Sequence, residues 1–355
     1  MDVKKPARQS NIELLRIVSM LLIIAHHFAV HGGFVFAQDD FSVNSLFIKT
    51  ILIGGKLGVN IFVLISGYFL CTKTALNIKK AVSLHSQILF YSLLFFIYLL
   101  TVLKNPFSAK GLNLFLTPII HETWWFATSY FVMFILSPYL NKLLNTLSKK
   151  EHRNLLILLG VMWSGVFTLS GYRLQGGNVL WFLTIYALAC YIRKYKDAPR
   201  SPSKLYFYSL MVLVVSVFVY VFTQYLGKTT PYFTALSQRI YSMKSIFMAT
   251  LSVLIFLAFK NTRIKSNRFI NLISGATFGV YLLHDIPFIR PQLWGKLLKT
   301  ATYQQKPTLI PYAFACVLGI FIAGTIIELI RQGLWRLWFD RAYNKAEKIF
   351  KKGCH

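Results

Sequence analysis

Acidic residues are scarce in this chain: 11 Asp and Glu stand against 39 Lys and Arg in 355 residues, a formal net charge of +28. On a soluble protein that imbalance would point to nucleic acid. Charge of either sign is itself thin, at 14%, whereas 55% of the residues are hydrophobic and 16% aromatic. A mean hydropathy of +0.54 lies outside the habit of soluble globular domains. The basic residues sit in short segments between apolar runs, as they do in the cytoplasmic loops of membrane proteins. This distribution argues against nucleic acid as a partner. Cysteine is equally sparse: Cys71, Cys190, Cys316 and Cys354 form no CxxC pair. No disulfide framework, zinc site or other metal site is therefore expected.

Long apolar runs are what the chain does have. Ten are long enough to approach the ~30 Å hydrocarbon core as helices: roughly 12–31, 54–70, 84–103, 123–141, 154–170, 179–193, 205–226, 243–259, 269–288 and 309–330. Alternating the intervening segments places 26 Lys and Arg on one side and 12 on the other, with Arg16 inside a run. The positive-inside rule then predicts an all-α polytopic membrane protein with about ten spans and both termini cytoplasmic. The basic start (Lys4, Lys5, Arg8) before an apolar segment mimics a signal peptide. The segment is long, contains Arg16 and lacks a small-residue exit, so it reads as a retained first helix. Loops of at most about 20 residues leave no room for a soluble domain. Residues 1–330 read as the membrane domain. The tail 331–355 alternates aromatics with bases, as an amphipathic segment on the inner leaflet would.

The first run, LLRIVSMLLIIAHHF (14–28), carries costly polar residues. Ionisable side chains within spans usually face a protein interior or cavity. At 100° per residue, Arg16 and His27 differ by three turns plus about 20°, and Glu13 and His31 share their arc within roughly 60°. His26 is turned away from that stripe. Eleven residues also separate Arg16 and His27 by about 16 Å along the axis. A long donor with an anionic end and a reactive end would fit, and acyl-CoA has that shape. Arg16 would hold phosphates, Glu13 would position Arg16 through an i,i+3 pair, and a neutral His27 imidazole would act as general base or acyl-carrying nucleophile. The plainer alternatives are a snorkelling arginine and a hydrogen-bonded packing histidine.

RIVSMLLIIAHHF resembles the arginine–ten residues–histidine signature of the acyltransferase-3 family of integral-membrane O-acyltransferases. GKLGVNIFVLISGYFL (55–70) is similar to that family's second-helix motif, with Asn60 where many members have Asp. WWFATSYFVMFILSPYLN, LWFLTIYALACYI and FGVYLLHDIPFIR resemble its later blocks. The resemblance implies that His27 is the catalytic residue and Arg16 its companion. It further implies acetyl transfer from cytoplasmic acetyl-CoA to a hydroxyl of a cell-surface or lipid-linked glycan, in a bacterial cytoplasmic membrane. Where many members have an arginine-rich third helix, Lys79 and Lys80 stand here, as candidates for the CoA end. No appended esterase-like domain, which some members carry, is expected here.

Other residues are candidate acceptor contacts. Tyr281, His284 and Asp285 cluster near the outer end of the ninth run, where they could line an acceptor pocket or orient an imidazole. His31 continues the stripe, and Ser66 could donate to a carbonyl. Trp124, Trp125 and Trp181 are expected first as an interfacial aromatic belt, with sugar stacking by Trp125 as the second reading. Gly55, Gly58 and Gly67 are expected to be close-packing positions. A glycolipid transporter, a proton-coupled carrier using Arg16, His27 and His284, and an assembly scaffold are the rival classes. The transporter would be marked by internal symmetry or paired broken helices.

Overall fold

A computed structural model describes residues 8–172, 177–196 and 199–353, with side chains described as far as 337. The described residues are helical and contain no strand. In chain order the helices are α1 (Ser10–His31), α2 (Val43–Ile51), α3 (Ile53–Leu70), α4 (Ile78–Thr101), α5 (Ala109–Leu116), α6 (Trp125–Thr146) and α7 (Lys149–Gly160). A π-helical turn, Val161–Gly165, joins α7 to α8 (Val166–Ser170). There follow α9 (Gly177–Tyr195), α10 (Pro202–Leu226), α11 (Pro231–Ile240), α12 (Ile246–Asn261), α13 (Arg268–Ser274), α14 (Thr277–His284) and α15 (Leu309–Gly353).

Each of the ten predicted runs is helical over most of its length. Among the described residues, six segments are long and apolar enough to cross a bilayer by length and composition: Ser10–His31, Val43–Leu70, Ile78–Thr101, Lys149–Ser170, Pro202–Leu226 and Leu309–Leu337. They differ in depth. The apolar window of the α2–α3 segment is 78% buried and that of α10 is 22% buried, so α3 is interior and α10 peripheral. Along α10, Phe207, Leu210, Val214, Phe218 and Phe222 stand exposed. This is what a helix does when its outer face meets lipid rather than water.

α1 is the hub, packed against α3, α12, α13, α14 and α15. Its approach to α3 depends on small residues. A Cβ at Gly54 would lie 2.5 Å from the Leu22 carbonyl oxygen, and one at Gly58 would lie 2.7 Å from that of Ser19. Both obstacles are backbone, which cannot rotate aside, so these positions let two helices pack backbone to backbone as membrane helices do. Gly55 receives the His26 ring, and Gly67 performs the same service against α9.

Hydrogen bonds fix the two ends of the bundle. Asn11, at the start of α1, donates to the carbonyls of Phe259, Lys260 and Thr262 at the end of α12. At the other end of α12, Asn60 donates to Met243 O at 2.9 Å. α1 and α12 are therefore antiparallel. One end of the bundle carries Arg8, Lys260 and Arg263; the other carries His27 and His31.

Two features depart from the sequence-based expectation. The run at 269–288 is two short helices, α13 and α14, parted at Gly275–Ala276 and ended at Asp285. Gly275 is a poor helix former, and Pro287 disfavours helical geometry at Ile286. Trp124 and Trp181 are not an interfacial belt: they are 1% and 2% exposed, inside the chain's own core. Trp181 is held there because its indole N–H donates to Asn60 Oδ1 at 2.9 Å. The backbone of α15 continues as helix through the tail to Gly353.

Candidate active site

The candidate centre is built where the end of α1 meets the end of α14. His27 Nδ1 lies 2.9 Å from His284 Nε2, and His284 Nδ1 lies 2.6 Å from Val280 O. A carbonyl only accepts, so His284 Nδ1 carries a proton. With a neutral ring, His284 Nε2 is then the acceptor and His27 Nδ1–H the donor. The chain of bonds leaves the lone pair of His27 on Nε2. That atom is 3.5 Å from Asp285 Oδ1. A proton arriving on Nε2 would complete an imidazolium–carboxylate pair with Asp285, which stabilises the charged ring.

Asp285 is 1% exposed, and its carboxylate is bonded by Arg290. Arg290 Nε donates to its Oδ1 at 2.9 Å and Arg290 Nη2 lies 2.8 Å from the same oxygen. His31 Nε2 is 3.8 Å away, and the Tyr281 hydroxyl is buried beside the carboxylate. The break after α14 makes this possible. By leaving the helix at Asp285, the chain turns so that Arg290, five residues on, folds back over it. One ring nitrogen each of His27 and His31 and an Asp285 carboxylate oxygen lie within 4.8 Å of one another. These are donors of the type that bind zinc, although Arg290 already occupies the carboxylate oxygen that a cation would need.

The paired histidines serve different places. His26 Nδ1–H donates to Leu52 O at 2.6 Å, at the junction of α2 and α3, and its ring lies against Gly55. The His26 and His27 ring centroids are 5.6 Å apart.

Arg16 lies three turns from His27 on the same face and is not part of the His27 cluster. Its Nε is 3.8 Å from Glu13 Oε2, and this buried nitrogen has no hydrogen-bond partner among the described residues. Glu13 is held chiefly by Ser274 of α13, whose hydroxyl donates to it at 2.6 Å. Lys79 and Lys80 line a cavity of about 410 Å3 with Arg331 and Arg336, at the end of the bundle nearer Arg16. A second basic cavity at that end, about 870 Å3, is bordered by Arg8, Arg193, Lys260, Arg263 and Lys265.

The remaining candidates are scattered. Asn60 is fully buried, with its amide spent on Met243 O and Trp181. Ser66 Oγ bonds Tyr130 OH at 3.0 Å. Trp125 opens α6 with the Lys56 ammonium 5.3 Å from its ring centre. Sequence reasoning passed over Arg290, Lys56 and Glu328. Arg290 was in view inside FGVYLLHDIPFIR, but only the fold directs it to Asp285.

Substituting His284 tests the hydrogen-bond chain. His284→Gln keeps an oxygen able to accept from His27 Nδ1, whereas His284→Leu does not. We expect His284→Leu to lower kcat roughly a hundredfold, the lower range for a disabled general base. His284→Gln should lose about tenfold or less. Equal kcat for the two variants would remove the tautomer-setting role.

The family model described as Acyltransferase domain, the acyltransferase-3 family, matches residues 9–328, and the chain belongs to that family. No curated protein and no solved structure matches it. The protein is a multi-pass membrane protein of acyltransferase type.

Proposed function

We propose that the protein transfers an acyl group, acetyl by family resemblance, from cytoplasmic acyl-CoA to a hydroxyl of a cell-surface or lipid-linked glycan. The observation that carries this reading is the hydrogen-bond chain that frees His27 Nε2 beside Asp285. In the reaction, Nε2 takes the proton of the acceptor hydroxyl while its oxygen attacks the thioester carbonyl. The tetrahedral adduct collapses to an ester and a CoA thiolate. The His27 imidazolium, balanced by Asp285, then returns the proton to the sulfur. Direct attack by Nε2 to form an acyl-histidine uses the same free nitrogen.

The donor side is supported by Arg16, whose buried Nε awaits an acceptor, and by the Lys79–Lys80 cavity. In this reading the chain crosses the bacterial cytoplasmic membrane about ten times with both termini inside. The basic end then faces CoA, and the His27 end lies toward the outer leaflet. The tail from 331 rests its bases on the anionic inner surface. A donor that cannot cross is thereby joined to an acceptor too large to enter.

Sealed membrane vesicles test this directly. With labelled acetyl-CoA supplied only on the cytoplasmic face, label should appear in surface glycan in proportion to CoA released. Movement of glycolipid or protons without thioester consumption would instead establish a carrier.

A further inference from the structure

A cavity of about 400 Å3 opens beside His26, with Lys56, Lys244, Gln238, Tyr241 and Asn178 in its walls. It lies at the His27 end of the bundle, near the start of α12, and His26 forms part of its wall toward the reacting histidine. Its volume is that of a small-ligand site.

The charge on this cavity is one-sided. Two lysines line it, and no Asp or Glu does so among the described residues. Lys56 has no carboxylate within 4 Å among those residues; its close neighbour is the Trp125 ring. Asp285 is the carboxylate that Lys56 senses at longer range, but Asp285 is already paired with Arg290 at 2.8 Å. Lys244 reaches the Gly177 carbonyl at 3.2 Å. The Lys56 ammonium, removed from bulk water and facing this cavity with no carboxylate close by, is costly unless an anion joins it.

Two further features suit a sugar. Tyr241 stacks on Tyr220 with centroids 3.9 Å apart and planes 3° from parallel. The Tyr241 hydroxyl is buried and has no hydrogen-bond partner among the described residues. A buried polar atom without a partner is unusual, and Tyr241 lines the same cavity as Lys56.

Resting on the acyltransferase reading, we propose that this cavity is the acceptor subsite and that the acceptor is an anionic sugar, whose negative group pairs with Lys56. A uronic-acid carboxylate and a sugar phosphate share that chemistry. The anion on Lys56 and the ring beside Tyr241 hold the acceptor next to His26, one residue from the base. Lys56 is a positioning residue for the acceptor; it makes no bond to the acyl group.

Binding tests this independently of acyl transfer. The full-length protein in lipid nanodiscs is titrated with methyl glucoside, methyl glucuronoside and methyl glucoside 6-phosphate, read by saturation-transfer NMR. At least one anionic probe should bind about tenfold or more tightly than the neutral one, the effect of a single charge-assisted contact. Whichever anion binds better identifies the source of the charge. Lys56→Gln should equalise the probes, and Lys56→Arg, which restores the charge, should restore the preference. Equal binding of all three, binding of none, or a preference that survives Lys56→Gln overturns the proposal. Since no step of catalysis is measured, a failed acyltransferase assay alongside the anion preference would count against the reaction alone.

Discussion

Replacing His27 with alanine is expected to lower acyl transfer about a thousandfold, within the span that a lost general base produces. The expectation rests on one nitrogen. His284 holds His27 Nδ1, so Nε2 is the atom with a lone pair, and Asp285 is placed to balance the proton it takes. Alanine removes both functions and leaves the adjoining chain little changed, since α1 is anchored by Asn11 and by its seam with α3. His26→Ala should behave differently. Its ring fills space over Gly55 and ties Leu52 O, so the loss should fall on acceptor KM and stability, with kcat reduced by about tenfold at most. The two variants are compared at equal amounts of folded protein, with labelled acetyl-CoA and a crude surface-glycan acceptor. Equal kcat in both would take His27 out of the chemistry and move attention to His284.

The second large effect is on stability. Glu328 is fully buried in the middle of α15. It accepts from Tyr91 OH at 2.6 Å and from Gln87 at 3.0 Å on α4, and from Arg331 at 2.7 and 2.8 Å on its own helix. Gln332 adds a bond at 2.8 Å. Gly279 makes room for the carboxylate, because a Cβ there would come within 2.3 Å of Oε2. Glu328→Ala would strand the Arg331 charge in the interior and empty three other donors. Breaking one side of a buried pair costs about 3–5 kcal/mol, enough to remove most of a membrane domain's margin. Thermal unfolding in nanodiscs should show a large fall for Glu328→Ala and a smaller one for Glu328→Gln, which retains one acceptor oxygen. A melting temperature unchanged by Glu328→Ala would contradict the network. Since Arg331 also borders the Lys79–Lys80 cavity, the same variant should weaken donor binding.

Glu328 is instructive because a sign of it was present. A carboxylate inside an apolar run with arginine three residues later is an intramembrane pair on one helix face. Its partners Tyr91 and Gln87, more than 230 residues away, were not legible, because no local pattern connects α4 to α15. The tryptophans failed in the opposite direction. Position at a helix end suggested lipid for Trp181, but burial depends on what stands across from that end, and Asn60 of α3 stands there. The run at 269–288 had the composition of one helix. Its break at Gly275–Ala276 followed from packing that compensates a short helix, which propensity alone does not specify.

What the amino-acid sequence determined by itself is what depends on local periodicity and composition. The apolar runs fixed where helices form, since a backbone in lipid must satisfy its own hydrogen bonds. The 3.6-residue repeat placed Glu13, Arg16, His27 and His31 on one face of α1 and turned His26 away from it. The tertiary structure decided everything that needs two distant segments. It brought His284 and Asp285 to His27 across 257 residues, folded Arg290 over the carboxylate, and set Lys56 at the cavity beside His26. A helix dictates which of its side chains share a face; only packing, through close approaches such as Gly54 on Leu22 and Gly58 on Ser19, dictates what that face meets.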